Sequence, residues 1–88
     1  MKDQTSVMFW KDKDGNIFAV FTEEPYNLKL YGYSVLSCYE HTGQHGSCHI
    51  DFLSTCEQAK ADEYEFLKLE LEDVGYNLHI LNRSWKNG

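Results

Sequence analysis

The sequence predicts an α+β domain, a mostly antiparallel β-sheet in the order β-β-β-β-α-β with one amphipathic helix packed on one face. Three observations carry this. Short runs rich in β-branched and aromatic residues, separated by turn segments, fill the first half of the chain. One stretch, EQAKADEYEFLKLELEDVG at 57–75, has helical period, with Tyr64, Leu67, Leu71 and Val74 recurring at spacings of three and four. The closing run YNLHILNR alternates as a half-buried strand does. With 88 residues, 42% of them hydrophobic, 15% aromatic and a single proline, the chain has room for one core, so residues 1–88 read as one folded domain.

The first two strands are VMFWK at 7–11 and NIFAVFT at 16–22, joined by DKDG as a hairpin turn. Both carry apolar side chains on both faces. Val7 and Phe9 oppose Met8 and Trp10, while Ile17, Ala19 and Phe21 oppose Phe18 and Val20. A single helix covers one face, so the other needs a second cover: the loop 23–31, Trp85, or another copy of the chain. This favours a homodimer slightly over a monomer. Pro25, Asn27 and Gly32 interrupt the pattern, and strand three follows at 33–41, YSVLSCYEH. After the reversal TGQHG comes strand four at 48–53, CHIDFL. Ser54 or Thr55 can cap the helix, with Glu57 or Gln58 completing a capping box, although the start can slip as late as Ala61. Gly75 supplies the left-handed helix end, and strand five spans 76–83. A right-handed crossover would return strand five beside strand one, in the order 5-1-2-3-4.

The net charge is −6, from 8 basic and 14 acidic residues. That counts against direct nucleic-acid binding, which needs clustered Lys and Arg. The helix alone carries seven carboxylates against Lys60 and Lys68, a net −5. Its acidic face, Glu63, Glu65, Glu70 and Glu72, reads as a solvated surface or, more sharply, as an anionic patch that docks a basic protein in place of nucleic acid. Neither a secretory leader nor a membrane span is visible, which predicts a cytoplasmic protein whose Cys38, Cys48 and Cys56 are reduced thiols.

Cysteines and histidines concentrate between positions 38 and 56. Cys38, His41, His45 and Cys48 form C-x2-H-x3-H-x2-C, residue types that hold zinc in a tetrahedron, although the spacing is not that of a zinc finger or ribbon. The alternative is that the cysteines are half-buried strand residues and the histidines polar turn residues. A Cys nucleophile with a His base is the enzymatic version of the same cluster, but the sequence gives no sign of a pocket. No phosphate-binding glycine loop, serine elbow or paired-carboxylate motif occurs. DKDGN resembles the opening of a calcium loop, yet the positions before Glu23 are apolar strand residues, so a hairpin turn explains it better.

The succession FWKDKDGNIFAVF, SCYEHTGQHGSCHIDF and ADEYEFLKLELEDVGYNLHILNR resembles a group of small uncharacterised proteins of bacteriophages and of bacterial conjugative and other mobile elements. The shared features are a D-G turn, a Y-x-H-x-G-Q-H segment and an E-Y-x-x-L-x-x-E-L-x-x-x-G-Y-x-L run, falling here on Asp14 and Gly15, on Tyr39 to His45, and on Glu63 to Leu78. The group's ALFPE-like second strand reads AVFTEEP here, with the proline displaced to Pro25, and the cysteines are not part of the shared pattern. The resemblance implies a mobile-element context and places a common binding surface at Tyr39, His41, Gly43, Gln44 and His45. No catalytic residue and no firm metal ligand or cofactor follows, zinc being the alternative. The expected function is a non-enzymatic binding or accessory protein that contacts an unidentified protein partner. A zinc-binding domain and an acidic, nucleic-acid-mimicking inhibitor are the other readings.

Overall fold

The computed structural model describes residues 4–40 and 44–81, residues 44 and 45 through their backbone alone. Four antiparallel strands run in sequence order across the sheet: β1 Thr5–Lys11, β2 Ile17–Pro25, β3 Val35–Glu40 and β4 Gln44–His49. Between β2 and β3 lie a short helix α1, Leu28–Tyr31, and a 3-10 turn, Gly32–Ser34. A second short helix α2, Ile50–Leu53, follows β4. It leads through β5, Glu57–Gln58, to the main helix α3, Ala61–Val74, and the final strand β6, Leu78–Ile80. The order is β4-β3-β2-β1, with β5 and β6 sharing the outer edge of β1. β6 runs parallel to Thr5–Val7, beside strand one as expected, whereas β5 pairs antiparallel with Trp10 and Lys11, so α3 joins antiparallel strands and is not the expected crossover.

The DKDG turn closes through Asp12. Its carboxylate accepts from the backbone N–H of Asp14 and of Asn16, each at 2.9 Å, and from the Asn16 side chain at 3.2 Å. Gly15 takes φ +86°, a conformation costly for a residue with a Cβ. These bonds from neutral donors build the turn, which is the hairpin reading and not the calcium-loop one.

Alternation in β1 and β2 sorts the apolar residues into two cores. Val7, Phe9, Ile17, Ala19, Phe21 and Tyr39 face α3, where Tyr64, Leu67 and Leu71 pack on them. The Phe9 and Tyr64 rings stack at 4.3 Å. Met8, Trp10, Phe18, Val20, Leu36, Cys38 and Cys48 line the opposite face and are closed over by Leu53, with Ile50, Cys56 and Leu81 beside it. Met8 and Val20 have no exposed surface. The second face is thus covered within one chain and does not require another copy. The loop 23–31 is not its cover, since Tyr26, Leu28, Leu30 and Tyr31 all point outward; Trp85 lies outside the described residues.

Several boundaries differ from expectation. Strand four was placed at 48–53, but the strand is Gln44–His49 and the chain then turns helical. A short apolar run cannot by itself distinguish strand from buried helix, and here the local bonds decide. His49 Nδ1 accepts from Asp51 N–H at 3.2 Å, while the hydroxyls of Ser54 and Thr55 donate to the carbonyls of Asp51 and Phe52, both at 2.7 Å. Ser54 and Thr55 therefore close α2 and do not cap the main helix. That helix starts at Ala61, the latest start expected, because residues 57–58 are drawn into the sheet and Ala59 N–H donates to Phe9 O at 2.9 Å. Glu63 completes the start by accepting from Lys60 N–H at 2.8 Å. Gly75 ends the helix at φ +125°. Val74, assigned to the apolar face, is the last residue of the helix and is 59% exposed. Strand three begins at Val35, since Gly32–Ser34 forms the 3-10 turn.

Candidate functional site

Among the described residues, the most exposed run of large apolar side chains lies between β2 and β3. Within YNLKLYGY, the side chains of Tyr26, Leu28, Leu30, Tyr31 and Tyr33 are each about half exposed or more, Leu30 reaching 70%. No residue of α1 is buried. A four-residue helix has no independent stability in water, so local bonds must hold it. Asn27 caps it, its side chain accepting from Leu30 N–H at 3.2 Å, and Tyr31 N–H donates to Asn27 O at 2.9 Å. Gly32, at φ +58°, turns the chain out of the helix, and Tyr26 N–H donates to Val35 O at 2.8 Å, pinning both ends of the excursion together. The result is a protruding segment, the platform, along which three tyrosines and two leucines are exposed on either side of Lys29 in the sequence. Tyr is favoured at protein interfaces because it offers a large, stiff, amphipathic contact area. The sequence reading missed this surface. Its signal was present: an apolar-rich run, Leu28 to Tyr33, with neither strand alternation nor helical length.

The expected site at the β3–β4 hairpin is only partly within view. His41 and Gly43 lie outside the described residues, and for Gln44 and His45 the structure gives backbone pairing alone, with Glu40 and Tyr39 respectively. Tyr39 is 96% buried, and its hydroxyl donates to Glu70 Oε2 at 2.5 Å. That bond, reinforced by burial, pushes the Tyr39 phenol above its ordinary pKa. Tyr39 is therefore a core residue that anchors α3 and not an outward binding residue.

The acidic face divides. Glu63 pairs with Lys11 Nζ at 2.6 Å and Glu70 receives Tyr39, so both are turned toward the sheet. The Lys11 ammonium holds the Glu63 carboxyl below its ordinary pKa, and Glu63 raises Lys11 in return. Glu72 pairs with Lys68 at 3.3 Å, an i,i+4 contact, and Glu65 is exposed. The four carboxylates do not form one free face, because residues seven apart, 63 with 70 and 65 with 72, share a side of the helix.

Cys38 and Cys48 both sit on the second face, but Cys38 pairs with Gly46 and Cys48 with Leu36, so the thiols are offset by two residues and not directly opposite. Burial pushes both thiols up, Cys48 to about 12, and raises Cys56 as well. A nucleophilic thiol needs the reverse shift. His49 uses Nδ1 to accept from Asp51, and the Cys48 thiol is directed at the His49 carbonyl at 3.7 Å. Among the described residues, no three His, Cys, Asp or Glu side chains are placed to hold a metal ion. Over these thiols lies a cleft of about 200 Å³ lined by Phe18, Phe52, Asp12, Glu40 and His49.

No protein-family model, curated protein or solved structure matches the chain. No helix among the described residues is long and apolar enough to cross a membrane.

Proposed function

We propose that this chain is a small non-enzymatic binding or accessory protein of phage or mobile-element origin, and that it contacts its partner protein through the Tyr26–Tyr33 platform. The observation that carries this reading is five large apolar side chains exposed together on a segment whose backbone is held in place. Burying such side chains against the fold would have stabilised it by about 1.5 kcal/mol or more each. Their outward placement is accounted for by a surface that is buried on binding. Glu23 and Glu24 flank the platform and the chain as a whole carries −6, so the complementary surface is an apolar groove with a basic rim.

A photo-crosslinking residue placed at Tyr31, in a bacterial cell expressing the protein, identifies the partner. Leu30→Glu in the same chain should then abolish complex formation by the purified pair without lowering Tm. If Leu30→Glu leaves the affinity intact, the platform is not the contact surface. The mimicry alternative retains Glu65 and Glu72 as outward charges, and charge reversal of those two should then weaken the same complex. The zinc alternative rests on Cys38 and Cys48 sharing a face with the hairpin that carries His41 and His45. Elemental analysis of tag-free protein without stoichiometric zinc would remove it.

A further inference from the structure

We propose that the cleft above Cys38 and Cys48 is a socket for an alkylammonium or guanidinium group, seated between the Phe18 and Phe52 rings and the carboxylates of Asp12 and Glu40. The two rings stand 6.0 Å apart, inclined by 36°, and form an aromatic wall whose π-faces attract cations. Glu40 is exposed and Asp12 lines the same cleft. Hydrogen bonds from Asn16 hold the Asp12 carboxyl below its ordinary pKa, so it stays ionised. Neither carboxylate has a cationic partner among the described residues, where the ion pairs join Lys11 to Glu63 and Lys68 to Glu72.

The floor adds no positive charge. Cys38 and Cys48 are protonated thiols at neutral pH, and His49 is engaged with the backbone of Asp51. Gly46, paired with Cys38, leaves the adjoining wall without a side chain. The volume of about 200 Å³ equals roughly six or seven waters at about 30 Å³ each, room for the end of a lysine or arginine side chain. An anionic rim, an aromatic wall and an uncharged floor together select an organic cation over an anion or a neutral group.

This site does not depend on the Tyr26–Tyr33 platform, and its test is separate. The intact protein is titrated by NMR with n-butylammonium and methylguanidinium at constant ionic strength, with n-butanol as the neutral isostere and an acetyl-lysine-methylamide peptide as the side-chain form. Saturable shifts at Glu40, Phe52 and the 47–49 strand segment are expected with both cations. Glu40→Gln or Phe52→Ala should weaken binding by about fivefold or less, the scale of one exposed charge pair or one exposed cation–π contact. Gly46→Val should block the cleft while leaving the fold intact, since among the described residues a Cβ at 46 meets Cys38 Sγ alone, at an ordinary contact distance of 3.8 Å. A lysine peptide that binds tighter than the free amine identifies a partner's side chain as the natural occupant; equal affinities identify a free amine. Absence of saturation, or equal shifts with butanol, overturns the proposal. Leu30→Glu should leave the titration unchanged, so the platform and the socket can fail independently.

Discussion

Leu53 tests the claim that the chain closes its own second face. Its side chain is 1% exposed and packs among Met8, Trp10, Val20 and Leu36, and it projects from a four-residue helix held by side-chain bonds. Leu53→Ala removes three carbons' worth of apolar burial, about 2.4 kcal/mol at ~0.8 per methylene, plus a cavity contribution, for a total of about 3 kcal/mol. A domain of this length has only about 4–13 kcal/mol of stability in all. The midpoint of thermal unfolding should therefore drop by about 12–24 °C. Circular dichroism melts at two protein concentrations tenfold apart check this, with Leu69→Ala, at a position 52% exposed, as a control changing stability by less than about 0.5 kcal/mol. A loss below about 1 kcal/mol for Leu53→Ala, or a wild-type midpoint that rises with concentration, would show that α2 is not the cover and that another copy is.

Three further outcomes follow from the same contacts. Tyr39→Phe deletes the hydroxyl that Glu70 accepts and should cost about 1 kcal/mol in urea unfolding near neutral pH. Because the folded Tyr39 pKa is raised, its contribution is full below about 10 and is lost as pH rises through the folded value; a phenolate titration in which Tyr39→Phe removes no group ionising above the ordinary tyrosine value would contradict this. The Lys11–Glu63 pair behaves oppositely at its acid end. Glu63 is depressed, so Glu63→Gln should lower Tm at pH 7, and the difference should shrink once pH falls below the ordinary glutamate value of 4.5 and vanish below the lower folded value, with Lys11 limiting the pair only above 10.5. Finally, Cys38 and Cys48 should react with a disulfide reagent at pH 8 far more slowly than free cysteine until the protein unfolds. A thiol faster than free cysteine would revive the nucleophile reading.

The sheet and its partner helix were legible because their residues obey simple periods. Alternation in 7–11 and 17–21 assigned each side chain to the core it occupies, and the three-and-four spacing of Tyr64, Leu67 and Leu71 found the helix face. The last strand does return beside β1, but the crossover rule is not the reason: β5, the strand before α3, runs antiparallel to β1 and therefore to β6, so the connection is not a parallel crossover. What could not be read was decided by competition between equally local options. HIDFL is apolar enough for a strand, and the His49 cap together with the bonds from Ser54 and Thr55 makes residues 50–53 helical. Residues 57–58 have helical propensity but are captured by the free edge of β1, a tertiary pairing with no sequence signal. The site was less legible than the fold. Tyr39 reads in the sequence as a surface residue and is a buried anchor, while the loop 23–31, one of three candidate covers, carries most of the exposed platform. Composition reveals an apolar residue, but not whether the space beneath it is already filled.

The central claim is that the platform is the binding surface. Its most direct test is the affinity of the crosslinked partner, once purified, for the wild-type chain, for Leu30→Glu and for the doubly charge-reversed helix, Glu65→Lys with Glu72→Lys. The account predicts that Leu30→Glu loses binding by a hundredfold or more, the scale of burying one unpaired carboxylate in an apolar interface at about 3 kcal/mol, while helix reversal changes it little. Binding that survives Leu30→Glu and disappears on helix reversal would contradict the account and move the contact to α3.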